Sequence, residues 1–341
     1  MNKLSRFRSS FLSGTLDLLW AHWSDLGVLG QTTRPARWIV DPEALLAATA
    51  QFGRYDPRLF DAAVGWCLLN GRWLNSTRVQ RLQKDLSPDG QRILAAIASL
   101  MLEKDKSPKW RRLVSAGDET RPGAISLFLL PDGNSLPQVG RPDEKFLRFG
   151  LRRPPLEARQ TSVEIPMKGA AALQLRLRAF VGVASRAEIL LYLVTHRCAH
   201  PRLVARQTHY THPPIARAMA EMALSGVLRE DRTGREVEYE LEGALWRRLF
   251  HLPKDIRWIN WGRAFSALRQ IWACTGALEG RNATPSILGS ELSQCAGQIR
   301  AILRDSEVRA VFAEAGAGGP ESFPEVFFKS ALALLDRCRH P

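Results

Sequence analysis

The chain has 341 residues, 45% of them hydrophobic, enough apolar material to bury sizeable cores without disulfides or metals. Lysine and arginine number 48 against 34 acidic residues, a formal charge of +14, and this balance favours a polyanionic partner without naming it. The five cysteines, Cys67, Cys198, Cys274, Cys295 and Cys338, are scattered and lack any CxxC spacing, so they do not form the pattern of a disulfide framework, and a reducing cytoplasm is the expected location.

At the start of the chain Lys3, Arg6 and Arg8 precede an apolar stretch that Asp17, His22 and Asp25 interrupt before a signal-peptide core or membrane span can form. Ile93 to Leu102 is too short to cross a bilayer, so a soluble protein with no membrane contact is expected. Helical spacing then recurs, first in Leu45, Leu46, Thr49 and Phe52, then in Phe60, Ala63, Val64, Cys67 and Leu68 after the Asp56-Pro57 start signal. Ser76 to Leu86 and the stretch following Ser87-Pro88-Asp89-Gly90 read as two further helices. Residues 1–103 are therefore expected to form an N-terminal helical domain.

Residues 104–166 change texture, because Pro108, Pro122, Pro131, Pro137, Pro142, Pro154, Pro155 and Pro166 break every long helical pattern. This reads as a connector or small irregular subdomain in which Ala124 to Leu130 and Lys145 to Leu151 could pair, with a basic stretch at Arg148, Arg152 and Arg153. Residues 251–341 return to helix, on faces carrying Trp261, Phe265, Leu268, Ile271 and Trp272, then Phe323, Phe327, Leu334, Leu335 and Cys338. A C-terminal helical domain is expected there.

The informative segment lies in residues 167–250. Ser185 to Val194 reads as a first helix that buries Ile189, Leu190, Leu193 and Val194, and Pro201 begins a second, short one. Thr208-His209-Tyr210-Thr211 makes a turn, with Thr211 as N-cap of a third helix from His212 to Ser225 whose inward stripe is Ile215, Met219 and Met222. Gly226 stops it. Val227 to Asp231, a turn at Arg232-Thr233-Gly234-Arg235, and the strictly alternating Glu236 to Leu241 then form a hairpin.

Ala205-Arg-Gln-Thr-His-Tyr-Thr-His-Pro-Pro-Ile215, Met219, Met222, Ser225-Gly-Val-Leu-Arg229 and the hairpin together resemble the DNA-binding domain of bacterial winged helix-turn-helix regulators of the ArsR and MarR kind. The resemblance covers about residues 182–241. It implies a mainly α fold with a small β wing, a third helix that enters the major groove, and a wing that reaches phosphate or the minor groove. The expected DNA-contacting residues are Arg206, Tyr210, Thr211, His212, Pro214 and Arg217 around the helix entrance, with Arg229, Arg232 and Arg235 on the wing. Glu236, Glu238 and Glu240 share one strand face and are expected to point away from the duplex.

His196, Cys198, His200, His209 and His212 crowd the same region, but their spacing matches no common zinc motif, so neither metal nor cofactor is expected. No phosphate-cradling loop, nucleophile elbow or HExxH helix is present, and an enzyme is not expected. The expected activity is sequence-specific binding of double-stranded DNA by a transcriptional regulator, a repressor by preference and autoregulatory in a toxin-antitoxin or defence operon as a special case. The alternative is an interaction scaffold that uses the winged helix to dock protein. A homodimer matching palindromic half-sites is expected, with the C-terminal helix around Phe327 and Leu334 as its seam. A protein partner or small-molecule effector could act through the flanking domains.

Overall fold

A capping side chain, a proline in the first turn, or both start most of the described helices. In the computed structural model, which describes residues 3–29, 38–117, 123–138, 140–156, 165–166, 169–233, 236–254, 256–281, 284–312 and 322–340, the first helix is α1 (Lys3–Asp25). Asp41 caps α2 (Pro42–Phe52), Asp56 caps α3 (Pro57–Asn70), Asn75 caps α4 (Ser76–Gln83) and Ser87 caps α5 (Pro88–Asp105). Each cap oxygen satisfies N–H groups that a helix cannot pair internally. Then follow α6 (Arg111–Ser115), β1 (Ile125–Ser126), α7 (Glu144–Leu147) and β2 (Leu151–Arg152). In the described part of the proline-rich connector β1 and β2 pair in parallel, Ile125 with Leu151 and Ser126 with Arg152. Glu144 to Leu147, expected to be partly extended, is one helical turn because Asp143 accepts from the Lys145 N–H. Arg153, read as part of a surface basic stretch, is buried against Asp61.

The next elements are α8 (Leu173–Val181), α9 (Ser185–Thr195), β3 (Cys198–Ala199), α10 (Pro201–Gln207), α11 (His212–Leu224), β4 (Leu228–Thr233), β5 (Glu236–Leu241) and α12 (Gly243–Leu249). The three strands form an antiparallel sheet of order β3-β5-β4. β4 continues to Thr233, so the expected turn is shorter than Arg232 to Arg235. The chain closes with α13 (Trp261–Leu278), α14 (Pro285–Leu303) and α15 (Phe323–Arg339). The molecule is mainly helical with a small three-stranded antiparallel sheet.

Two cores organise these elements. The larger joins Phe11 and Trp23 of α1 and Leu45 and Phe52 of α2 to Trp261 and Ile271 of α13, Leu292 of α14 and Phe327 and Leu334 of α15. The helical regions before and after residues 167–250, expected as separate domains, therefore share one interior. The smaller core packs α8 to α12 and the sheet around Leu190, Val204, Ile215, Met219, Tyr239 and Trp258. Phe327 and Leu334 are 1% and 0% exposed, because α15 lies against α1, with Phe7 stacked on Phe328. They are interior residues of one chain, which rules them out as a seam between copies.

Candidate nucleic-acid interface

Helix α11 buries Ile215, Ala218, Met219 and Met222 against α9, α10 and β4. Thr211, His212, Pro213, Pro214 and Arg217 are exposed on its other side and at its entrance. Thr211 has the extended backbone of an N-cap but makes no side-chain cap bond. The reason is local: the N–H groups a cap oxygen accepts from belong to the second and third helical residues, and here both are proline, Pro213 and Pro214. Thr211 is exposed, and its hydroxyl accepts no N–H of the helix. Arg217 pairs with no carboxylate among the described residues, whereas Glu221 one turn on is held by Arg186.

Other expected contacts are already engaged. Arg206 is half-exposed but lies 3.4 Å from Asp305, after α14. Tyr210 does not face outward as expected: its hydroxyl accepts from the Asn75 amide, and its ring lies 5.4 Å from the Arg81 guanidinium. It fastens the turn before α11 to α4 instead of presenting a hydroxyl at the helix entrance. On the hairpin, Arg229 pairs with Glu240, which also takes Arg197 at 3.2 Å, and Arg232 pairs with Glu230. The hydrogen bond from Arg197 and the charge of Arg229 hold the Glu240 carboxyl below its ordinary range. Arg235 and the side chain of Glu236 lie outside the described residues. Glu238 and Glu240 stand opposite Asp231 and Arg229, on the sheet face away from buried Leu228, Tyr239 and Leu241.

The turn before α11 is held by residues far from it in the chain. Arg78 Nε donates to Thr208 O at 2.9 Å and Arg81 Nη1 to His209 O at 2.6 Å. From α13's start, Asn260 Oδ1 accepts from His209 Nε2 at 2.9 Å, and Asn260 Nδ2 donates to Gln207 O at 3.1 Å. Gln207 Nε2 in turn donates to Asp305 O at 2.6 Å. His209 sits at a φ of 57° over Gly262, where a Cβ would come within 2.3 Å of its Nε2. Burial, then the nearby Arg78 charge, lower the His209 pKa, which keeps the ring neutral.

Behind the turn lies a fully buried ion network. Glu43 accepts from Arg178 Nη1 at 2.5 Å, from Arg78, and from the Asn75 N–H at 2.7 Å. Arg178 also reaches Glu188 at 2.6 Å, and Arg78 pairs with Asp41. Burial opposes the Arg178 charge, but Glu43 and Glu188 more than offset it and raise its pKa. The network joins α2 and α4 of the larger core to α8 and α9 of the smaller one.

The His/Cys group read from the sequence is dispersed. His196 stacks on Tyr192, His200 accepts from the Arg202 N–H, Cys198 is exposed on the sheet, and His209 belongs to Asn260. Among the described residues no three His, Cys, Asp or Glu side chains gather as a metal site, and no helix is long and apolar enough to cross a membrane. Comparison with protein-family models, curated proteins and solved structures returned no match.

Proposed function

We propose that the chain is a sequence-specific double-stranded DNA-binding regulator whose α8 to α12 unit works as a winged helix-turn-helix. The observation that carries this reading is the uncovered outer side of α11, which offers the free Thr211 hydroxyl, His212, Pro214 and unpaired Arg217 at the end of a helix, strand, helix, helix, hairpin order. A guanidinium there can pair bidentately with guanine O6 and N7, and a hydroxyl can contact phosphate. The surplus of basic residues supplies counterion release, so affinity should fall steeply with salt. Arg229 and Arg232, neutralised by Glu240 and Glu230, contribute to phosphate contact only after exchanging those partners.

A homodimer on palindromic half-sites remains part of this proposal, since one helix reads few base pairs. Light scattering of the protein with a bound duplex should give two copies; one copy at micromolar concentration would remove it.

The alternative, a docking module for protein, is favoured by one observation: Phe180, Leu245 and Leu249 are exposed around Trp246 on the same unit. The two readings separate in one experiment. Fluorescence anisotropy with a duplex from just upstream of its own coding region should show binding that exceeds a scrambled duplex and weakens with salt. Equal, weak binding to both sequences at every salt concentration would leave the docking reading.

A further inference from the structure

Helices α13 and α14 run antiparallel, and their contacts form a ladder along the chain: Arg263 Nη1 donates to Ile302 O at 2.8 Å, Gln270 donates to Gln298 Oε1, and the next rung brings Cys274 toward Cys295. The two thiols share a polar setting. Gln270 Nε2 donates to Cys274 Sγ at 3.2 Å, while Cys295 Sγ lies 4.0 Å from Gln270 O and Cys274 Sγ 4.0 Å from Gln298 Oε1. Cys274 is half-exposed while Cys295 is buried, so one thiol can meet a solvent reagent and the other lies behind it.

We propose that Cys274 and Cys295 are an oxidation site that closes reversibly into a disulfide by exchange with a low-molecular-weight disulfide. In the first step the Cys274 thiol loses its proton to solvent and attacks one sulfur of the oxidant, releasing one small thiol and leaving a mixed disulfide. Cys295 then attacks the Cys274 sulfur, forming the protein S–S bond and expelling the second small thiol. Two protein thiols are oxidised and one external disulfide is reduced to two thiols. The Cys295 and Gln270 hydrogen bonds lower the Cys274 thiol pKa, the first being the larger effect, and this suits it to attack first.

The bond would join the two helices whose ends hold the turn before α11, since Asn260 opens α13 and Asp305 follows α14. Oxidation therefore clamps that cradle, whatever ligand the α11 surface takes.

The test uses the folded full chain carrying Cys198→Ser, which removes the fully exposed thiol. After incubation with glutathione disulfide, the intact mass should fall by about 2 Da, the two hydrogens lost on forming one disulfide. Trypsin cuts after Arg269, Arg281 and Arg300, which puts the two cysteines on different peptides, so one linked, reducible peptide pair is expected. Adding Cys295→Ala should convert the product to a stable glutathione adduct on Cys274. If Cys274 stays reduced, stops at the adduct with Cys295 present, or links to another cysteine, the proposal fails.

Discussion

Arg217 and His22 show how one residue's surroundings decide what it can do. Arg217 is exposed without a carboxylate, so Arg217→Ala should cost about 1–3 kcal/mol of binding to the specific duplex while leaving the scrambled duplex much less affected. Anisotropy titrations of both duplexes check this, and an unchanged specific affinity would remove α11 as the reading helix. His22 is the opposite case. It is buried edge-on to Trp261, at 4.3 Å between ring centroids, and burial lowers its pKa to about 3. The folded state keeps the ring neutral while the unfolded chain protonates it near its ordinary value, so its contribution is present above about pH 6.5 and is lost as pH falls toward 3. Between pH 7 and pH 4.5 the wild type should lose roughly 2–3 kcal/mol more than His22→Leu in urea unfolding. Equal losses would show that the ring protonates in place.

Among the elements, the turn before α11 depends on partners far away in sequence. Gly262→Ala should push His209 off Asn260, because the added methyl has no room beside the imidazole. Arg178→Met should be harsher, since it strands Glu43 and Glu188 in the interior; losing one partner of a buried pair costs about 3–5 kcal/mol. Urea unfolding measures both, and a loss under about 1 kcal/mol for Arg178→Met would mean that water reaches the network. These dependencies explain what the sequence disclosed. Pro201, the spacing of Ile215, Met219 and Met222, and Gly226 each act within a few residues, so α10, α11 and the hairpin could be read directly. Tyr210 turns inward where local pattern points it outward, because its partner, Asn75, is 135 residues away. Glu43 looks like an ordinary first-turn acid, and nothing beside it signals the two arginines that neutralise it. α1 lies within the stretch expected to be helical, and the His22 and Asp17 that argue against a membrane span suit a packed helix, the first buried and the second exposed.

At the scale of the molecule, amphipathic faces announce that they must be covered but not by what, which is why the shared core of the first and last helices was not legible. Its consequence for stability is direct. A fragment of residues 1–103 lacks α13, α14 and α15, so Phe11, Trp23 and Leu45 lose much of the interior that covers them. It should lack a cooperative urea transition by circular dichroism, and a sharp one would show that the N-terminal helices are self-sufficient.

The same arrangement sets an order of assembly on the ribosome. Helices α1 to α6 are made first, yet their core is completed only by α13 to α15, which are made last. The apolar core of the α8 to α12 unit is built mostly from its own residues, so the middle of the chain can bury that core early, although the turn before α11 is fastened only when Asn260 and Asp305 arrive. During that interval apolar α2 and α5 stand open to association, which makes the N-terminal third the part that a chaperone would have to shield during synthesis.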